Sequence, residues 1–379
     1  MSQEINLSPQ ELARYSRHLA LPEFNIAGQK KLKAAKVLVV GSGGLGSPLL
    51  LYLAAAGVGH LGIVDFDVVD DSNLQRQVLF TIEDVGKSKS TTARERLLAL
   101  NPYIDIKVYN TQFNRENALD IIQDYDVVAD GTDNFPTRYL VNDACVLTGK
   151  TNVYASIFRF EGQVSVFNHL KADGTRGPNY RDLFPEPPPP GLVPNCAEGG
   201  VLGVLPGIIG SLQANEVIKV ITGIGEPLDG RLFLFDAASF TTRTLKISKR
   251  PDTFITQLIN YEQFCGIFPE SPKTIKEITV QELQDLRKQG ADFQLIDVRE
   301  PYEYSIVNLG GELIPLGQIS EAAAKIDREK QVIVHCRSGK RSETAIQELE
   351  QRYGFDNLYN LKGGILAFAK EIDQSLPTY

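Results

Sequence analysis

The sequence predicts an α/β protein in which a Rossmann-like nucleotide-binding domain is followed by a smaller α/β domain. An apolar strand at residues 36–40 leads into the glycine-rich turn Gly41-Ser-Gly-Gly-Leu-Gly46, and an apolar helix follows. A second apolar strand comes next, which is the β–α–β order from which parallel sheets are built. Strand and helix patterns restart after residue 273. A chain of 379 residues has room for roughly two or three domains of ~150 residues.

The elements of the first domain follow from apolar patterns and end signals. Ser8, Pro9 and Glu11 form an N-cap, a first-turn proline and a capping box, which predicts a helix start. The predicted strands are 36–40, 61–65, 104–109 and 125–130, and the predicted helices are 49–56, 89–100 and 208–222. A run of prolines predicts a surface loop over residues 185–194.

A turn-rich joint at residues 268–273 precedes the second domain. We place the boundary near Ser271, which gives domains of residues 1–270 and 271–379. The second domain is predicted to contain helices at 279–288 and 343–352 and strands at 293–297 and 331–335.

Composition narrows the possible function classes. The chain has 39 basic and 47 acidic residues, a net charge of -8, so we expect neither nucleic acid nor an anionic membrane surface as a partner. The N-terminal residues lack an apolar signal-peptide core, and no uncharged apolar run reaches the ~18 residues of a membrane helix. We therefore expect a cytoplasmic protein. The spacing of the four cysteines excludes a C-x-x-C pair and a dense disulfide framework.

The glycine-rich turn predicts a nucleotide site. Gly41, Gly43 and Gly46 follow a strand and open a helix, where small residues let the backbone approach phosphates and free N–H groups face anions. Asp65, at the end of the second strand, suits a ribose hydroxyl. These residues alone fit an NAD-dependent oxidoreductase equally well.

Charged residues after neighbouring strands favour a triphosphate over NAD. Asp67, Arg76 and Lys89 follow the second strand, and Asp133 follows the fourth. Hydride transfer needs no such cluster, whereas cations stabilise a transferring phosphoryl group and a carboxylate holds Mg²⁺.

Together these motifs resemble the MoeB/ThiF adenylyltransferases, the bacterial relatives of ubiquitin-activating enzymes, over residues 8 to 265. The resemblance rests on Gly41–Pro48, Asp65-Phe-Asp67, Ser72–Gln77, Lys89 and Gly131–Asn134. It implies binding of ATP and Mg²⁺, and adenylation of the C-terminal glycine of a ubiquitin-like sulfur carrier protein.

The resemblance also implies roles for individual residues. Arg76 and Lys89 are expected to be catalytic, Asp133 to hold Mg²⁺, and Arg17 to reach into the ATP site of a partner subunit in a homodimer. The expected nucleotide-binding residues are Gly41, Gly43, Gly44, Gly46, Asp65, Asp67, Ser72, Asn73, Arg76, Gln77, Lys89, Asp133 and Asn134.

The chain departs from this family where many members carry two C-x-x-C zinc pairs. Asn179 and Asp182 stand at the first pair, and residues 249–256 contain no cysteine. We therefore expect no zinc.

Cys336 is the sharper of two candidate thiols. It follows a strand and begins the loop Cys336-Arg337-Ser338-Gly339-Lys340-Arg341, in which helix N–H groups and basic side chains favour a thiolate. A phosphatase loop would place its arginine six residues after the cysteine, where this chain has Ser342. The shorter loop resembles the rhodanese family, as do Asp297–Tyr304 and Leu361–Ile365, and it implies a persulfide on Cys336.

Cys196 is a weaker candidate. It follows the proline loop in Val193–Gly200, a suitable place for a transient nucleophile, and a chemical role and a dispensable one stay equally open. Cys145 lies in an apolar helical pattern and is expected in the core, and Cys265 is expected to be structural.

The combined pattern resembles MoeB–rhodanese fusion proteins. The resemblance implies that one domain adenylates the carrier and the other delivers sulfur from Cys336, forming a thiocarboxylate for molybdopterin or related pathways. The sulfur donor would be a cysteine desulfurase or thiosulfate. Two alternatives stay open: an NAD-dependent oxidoreductase with an appended sulfurtransferase domain, and a carrier-binding module whose rhodanese domain only docks.

Overall fold

The computed structural model describes residues 5–188, 200–266 and 275–378, and the chain divides into two compact units, residues 1–269 and 270–379. No helix in these described ranges is long and apolar enough to cross a membrane. The predicted joint at 268–273 lies outside the described residues, as do residues 189–194 of the predicted proline loop. Residues 185–188 form neither helix nor strand.

The first unit alternates strands and helices, and its last three strands are antiparallel. Its strands are β1 (Lys36–Val40), β2 (His60–Val64), β3 (Asp105–Tyr109), β4 (Val127–Asp130), β5 (Thr151–Phe158), β6 (Glu161–Phe167), β7 (Arg231–Asp236) and β8 (Thr241–Lys246). Its helices are α1 (Pro9–Arg14), α2 (Ser16–Leu19), α3 (Asn25–Ala34), α4 (Gly46–Ala56), α5 (Lys89–Leu100), α6 (Ala118–Ile122), α7 (Phe135–Thr148), α8 (Tyr180–Leu183), α9 (Leu205–Thr222) and α10 (Tyr261–Phe264). Short 3-10 turns occupy Asp71–Asn73 and Ile82–Asp84.

These strands form one sheet in the order β3-β2-β1-β4-β5-β6-β7-β8. Strands β1 to β5 pair in parallel, and β6 to β8 continue the sheet antiparallel. Helices cover both faces of the sheet. On one face of β1, Val37 and Val39 pack with α4 and α9. On the other face, Leu38 and Val40 pack with α6 and α7. Strands buried on both faces have the continuous apolar pattern expected of a parallel sheet.

The predicted elements of this unit exist, with shifted ends in places. The capping box of Ser8 and Glu11 is confirmed at the start of α1, and α5 has the predicted bounds. Helices α4 and α9 begin three residues earlier than predicted. Their first turns contain Pro48 and Pro206, which are tolerated there because first-turn N–H groups have no helical acceptor.

The second unit has a five-stranded sheet of its own, entirely parallel, in the order β11-β10-β12-β13-β9. Its strands are β9 (Glu277–Ile278), β10 (Phe293–Asp297), β11 (Glu312–Leu313), β12 (Gln331–His335) and β13 (Leu358–Leu361). Its helices are α11 (Val280–Lys288), α12 (Pro301–Ile306), α13 (Lys340–Tyr353) and α14 (Gly364–Glu371), with 3-10 turns at Leu316–Gln318 and Ala323–Lys325. The predicted bounds of β10 and β12 are confirmed.

The second sheet is also covered on both faces. Val332 and Val334 pack with α13, whereas Ile333 packs with α11 and α14. The carboxyl end of the central strand β12 therefore emerges between two layers of helices, and Cys336 follows it directly.

Candidate active sites

The glycine-rich turn folds back on itself at the carboxyl end of β1. Gly41 has φ +90°, a left-handed conformation that favours glycine. A Cβ atom on Gly46 would lie 2.0 Å from the carbonyl oxygen of Gly41, so only glycine allows α4 to begin there. The turn therefore brings the N-terminus of a helix directly to the edge of the sheet.

The loop after β4 lies against this turn. A Cβ atom on Gly131 would be 3.1 Å from the oxygen of Gly41 and 3.2 Å from that of Val40. Strand β1 pairs with β2 on one side and with β4 on the other, which is the point where chain connections in such sheets diverge and ligands bind. The structure thus brings the loop of Asp133 beside the glycines.

Asp65 is fixed at the base of the site. One carboxylate oxygen accepts hydrogen bonds from the backbone N–H and the hydroxyl of Ser42, both at 2.7 Å. The other accepts from the N–H of Asp67 at 2.9 Å. This carboxylate therefore orients the turns after both β1 and β2.

Lys89 and Asp67 form an ion pair at the same sheet edge. The Lys89 ammonium lies 3.1 Å from a carboxylate oxygen of Asp67, and the lysine side chain is only 7% exposed. The backbone N–H of Lys89 also donates to the carbonyl of Asp67. The cation on the first residue of α5 is therefore nearly buried and held in place at this edge of the sheet.

The segment of residues 72–77 places two long side chains beside the glycines. The Cδ atom of Arg76 is 3.8 Å from the place where a Cβ atom on Gly44 would lie. The side-chain amide nitrogen of Gln77 is 3.6 Å from the place where a Cβ atom on Gly43 would lie. The guanidinium of Arg76 donates to the carbonyl of Ser72, and the residue is half-buried. Gln77 is buried, and its side-chain oxygen makes no hydrogen bond with a described residue.

The remaining residues expected to bind nucleotide have local roles in the free chain. The Ser72 hydroxyl donates to Asp70, and the Asn73 carbonyl accepts from the N–H groups of Arg76 and Gln77. Asn134 caps α7, because its side-chain oxygen accepts from the N–H of Thr137 at 3.0 Å. This capping bond gives Asn134 a structural role in addition to the expected one.

Asp133 is exposed and contacts the Asn134 amide at 3.5 Å. A solvent-facing carboxylate beside a glycine turn fits Mg²⁺, which takes one or two protein carboxylates together with substrate phosphates and water. Groups of three or more His, Cys, Asp or Glu ligands are absent from the described residues. A magnesium ion would therefore need oxygen ligands from the nucleotide.

Two polar residues of this region were missed from the sequence. Asp130 ends β4 and is fully buried, and one of its oxygens accepts from the N–H and hydroxyl of Thr132 at 3.0 and 2.6 Å. Burial raises the pKa of Asp130. Gln213, fully buried in α9, donates to the carbonyls of Asp130 and Val153 at 2.8 and 2.9 Å. The available signal was a glutamine among apolar residues in the first half of α9.

Arg17 is not brought to the glycine turn. Arg17 is exposed on α2, and its side chain makes no hydrogen bond or ion pair with the described residues of its own chain. Cys196 lies outside the described residues.

At the positions where many family members carry zinc-binding cysteines, this chain has a hydrogen-bonded network. Asp182 accepts from the backbone and side-chain nitrogens of Asn179 at 2.7 and 2.9 Å, and from the N–H of Arg250 at 2.8 Å. These bonds join the two segments that would carry the cysteine pairs. The donor set does not fit zinc, because Asn179 and Asp182 already satisfy each other and lack sulfur.

We expect purified full-length protein to contain much less than one zinc per chain, and a chelator to leave its melting temperature unchanged. Asp182→Ala should lower the free energy of unfolding by about 2 kcal/mol or more, because buried donors lose a charged acceptor. Asp182→Asn is the milder control. One tightly held zinc per chain in elemental analysis would contradict this prediction.

In the second unit, Cys336 begins a tight loop between β12 and α13. Its Sγ atom accepts a hydrogen bond from the N–H of Gly339 at 3.2 Å, and the hydroxyl of Ser342 lies at 3.5 Å. The side chain is 1% exposed and packs in a core cluster, which is more buried than the basic loop sequence suggested. The sulfur therefore points into the loop, at the N-terminus of α13.

Contacts on either side hold this loop. The carbonyls of Cys336 and Arg337 accept from the N–H groups of Ile365 and Leu366 in α14. The guanidinium of Arg341 binds the carboxylate of Glu303 through two bonds of 2.6 and 2.7 Å. Arg341 therefore has a carboxylate of its own, whereas Ser338 and Lys340 are exposed and Arg337 is half-buried.

A buried cluster of polar side chains adjoins the loop of Cys336. Asp297 and Arg299 form a fully buried ion pair with bonds of 2.6 to 3.1 Å. His335, also fully buried, lies 3.6 Å from Asp297, and neither ring nitrogen makes a hydrogen bond with a described residue. Burial lowers the pKa of His335 from 6.5 to about 4, although Asp297 opposes the shift.

The lowered pKa of His335 predicts that the second unit loses stability in acid. Because its folded-state pKa lies below the unfolded value, the unfolded chain binds the proton first, and stability falls as pH drops from 6.5 to about 4. The loss should reach about 3 kcal/mol at the lower end. Hydrogen exchange of the β12 amides at several pH values measures it, with His335→Phe as reference. Equal pH dependence in the two proteins would contradict the prediction.

Comparison with known proteins gives matches for both units. A model of the ThiF family matches residues 15–255, and a model of the rhodanese-like domain matches residues 279–371. The chain is 50% identical to the probable adenylyltransferase/sulfurtransferase MoeZ of Mycobacterium tuberculosis, covering 98% of this chain and 96% of that protein. It is 52% identical to a sulfur carrier protein adenylyltransferase of Thermus thermophilus, covering 68% of this chain and 98% of that protein.

Two further matches extend the comparison. The adenylyltransferase and sulfurtransferase MOCS3 of Drosophila grimshawi is 44% identical, covering 98% of this chain and 87% of that protein. Among solved structures, E. coli MccB with ATP matches with a TM-score of 0.55 and 25% identity, covering 67% of this chain and 74% of that one.

Proposed function

Because the chain belongs to the ThiF family and carries a rhodanese-like domain after it, we propose that it activates a ubiquitin-like sulfur carrier protein with ATP and then transfers sulfur to it. The chain is an adenylyltransferase and a sulfurtransferase, and we assign the first activity to residues 1–270 and the second to residues 271–379. The observation that carries the proposal is the convergence of the glycine turn, Lys89 and Asp133 at one edge of the first sheet.

In the first step, a carboxylate oxygen of the carrier's terminal glycine attacks the α-phosphorus of ATP, and pyrophosphate leaves. The free N–H groups around Gly44 receive the phosphates, and Asp65 binds the ribose. Lys89 and Arg76 stabilise the negative charge of the leaving pyrophosphate. The protein contributes position and charge, without a covalent bond to the nucleotide.

Magnesium, when bound, would neutralise phosphate charge, and Asp133 is the residue that would hold it. Its carboxylate is exposed beside the glycine turn, whereas Asp130 is buried and engaged with Thr132. Lys89 is paired with Asp67 in the free chain. When ATP binds, phosphate oxygens replace Asp67 as the partner of the Lys89 ammonium.

In the second step, Cys336 carries a sulfane sulfur taken from a cysteine desulfurase or from thiosulfate. The terminal sulfur of the persulfide attacks the carbonyl carbon of the acyl-adenylate, and AMP leaves. A thiol then attacks the Sγ atom of Cys336, which breaks the S–S bond and releases the carrier thiocarboxylate. A second thiol forms a disulfide with the first and displaces Cys336 as thiolate. The N–H of Gly339 and the hydroxyl of Ser342 stabilise the Cys336 sulfur when it departs as thiolate.

Cys196 is the second thiol in the proposal, as a transient nucleophile toward the activated carrier.

Free cysteines are consistent with action in the reducing cytoplasm, and Cys145, Cys265 and Cys336 are not in disulfides. The core location expected for Cys145 is confirmed, since its side chain is fully buried.

The test is mass spectrometry of candidate carriers after incubation with the protein, ATP, Mg²⁺ and a sulfur donor. A sulfur-for-oxygen exchange at the carrier C-terminus is the expected result. Carrier-independent consumption of ATP, or tight binding of NAD without binding of ATP, would contradict the proposal.

The proposed homodimer places Arg17 in the nucleotide site of the neighbouring subunit. Its support within the chain is an exposed guanidinium with no partner among the described residues. Mixing Arg17→Ala chains with Lys89→Ala chains should then restore part of the lost adenylation, because each mixed dimer contains one site with both residues intact. Pyrophosphate exchange measures this recovery. No recovery, despite subunit exchange shown by native mass spectrometry, would contradict action in trans.

A further inference from the structure

A basic groove lies at the far end of the first sheet, in a region that the proposed reaction does not use. One wall is the hairpin of residues 169–177, the other is formed by residues 244–249, and residues 229–231 lie between them. The Leu170–Arg176 bridge closes the hairpin, and Arg231 pairs with Lys246 in the sheet. The groove encloses about 1030 Å³, the size of a substantial ligand site.

The charge of this groove is opposite to that of the chain. Its described lining contains five basic side chains and one acidic side chain, whereas the whole chain has a net charge of -8. The basic residues are Lys171, Arg176, Arg231, Lys246 and Lys249, and they come from both walls and from the strand between them. Such an arrangement concentrates positive potential within the groove.

Few of these charges are neutralised within the chain. Lys171 lies 3.4 Å from Asp229, and Arg231 lies 3.8 Å from the exposed Glu226. Arg176 donates to a backbone carbonyl, which leaves its charge uncompensated. Lys246 and Lys249 are exposed and make no ion pair with a described residue. The groove therefore keeps an excess of positive charge.

Asp229, the one acidic lining residue, is fixed in the floor of the groove. Its carboxylate packs directly over Gly177, where a Cβ atom would lie 1.7 Å from the Oδ1 atom. That oxygen is buried and makes no hydrogen bond with a described residue. The rest of the lining mixes hydroxyl and apolar side chains: Thr175, Pro178, Thr244, Leu245, Ile247 and Ser248.

We propose that this groove binds an extended acidic peptide segment of a protein partner. Carboxylates from such a segment pair with cations on both walls, and its aliphatic atoms contact Leu245 and Pro178. A single-stranded nucleic acid fits less well, because the described lining offers no aromatic side chain on which bases could stack. The proposal goes beyond the adenylation and sulfur-transfer sites.

The experiment uses the full chain and a fluorescein-labelled peptide of alternating glutamate and serine, with fluorescence anisotropy as the readout. Binding should weaken steeply with added salt, because partly exposed charges are screened. The same peptide with glutamine in place of glutamate should not bind. Lys246→Glu combined with Lys249→Glu should reduce affinity by at least about tenfold, which is the loss of a few exposed charge contacts.

A matched control separates the groove from overall charge. Lys36→Glu combined with Lys325→Glu changes the net charge equally at exposed positions outside the groove. This variant should bind the acidic peptide as the parent does, and both variants should keep the parent melting temperature and adenylation rate. Equal loss in both variants, no binding by the parent, or tighter binding of an oligonucleotide than of the peptide would each overturn the proposal.

Discussion

Replacing Asp133 by alanine is expected to lower the rate of carrier-dependent ATP–pyrophosphate exchange by about 10²-fold or more. The rate of thiosulfate sulfurtransfer should stay unchanged. Removing a group that stabilises transition-state charge typically costs this much. Asp133 is exposed, and its side chain hydrogen-bonds among the described residues only with the adjacent Asn134, so the substitution should not disturb folding. Pyrophosphate exchange and rhodanese assays on the same preparation measure the two effects.

The control is Asp120→Ala, which removes an exposed carboxylate from α6. It should leave both activities at the parent level. Loss of both activities in Asp133→Ala would show that the two sites are not separable, and retention of full exchange activity would remove Asp133 from the proposed ATP site.

Replacing Cys336 by alanine is expected to eliminate thiosulfate sulfurtransfer and thiocarboxylate formation while pyrophosphate exchange continues at the parent rate. The reason is chemical: without the Sγ atom no persulfide can form, and the remaining loop has no second thiol. Cys336→Ser, which replaces the sulfur by an oxygen, should behave in the same way. A sulfur-transfer assay and carrier mass spectrometry measure the loss.

Cys265→Ala is the matched thiol control, because Cys265 is also buried but lies in the first unit. It should retain sulfur transfer. If Cys336→Ala retained sulfur transfer as well, the second unit would be a docking module, which is the alternative that the sequence left open.

Local chemistry made part of the site predictable. The need for glycine at positions 41 and 46 follows from a strand that turns at once into a helix, and the structure shows the close contact between them. The chain order placed charged residues after the second and fourth strands, and parallel strands end at the same edge of a sheet. Lys89, Arg76 and Asp133 indeed follow these strands or their connections.

The antiparallel half of the first sheet was not predicted. Strands β5 and β6 are joined at Arg159-Phe160, where Arg159 has φ +53°, without the Asn-Gly or Gly signal that usually marks a two-residue turn. All six residues of β8 are exposed, so this edge strand lacks a buried apolar face that would reveal it. Pairing with β7 makes it a strand.

The sequence alone determined the elements whose stability is local: the capping box of Ser8, the glycine turn, the bounds of α5 and the loop of Cys336 before a helix. Only the tertiary structure decided the burial of the Cys336 sulfur, the hydrogen bonds from Gln213 to two strands and the ion pair of Arg341 with Glu303. These depend on groups distant in the chain or on the path of the backbone, because burial and hydrogen-bond partners arise when separate elements pack together.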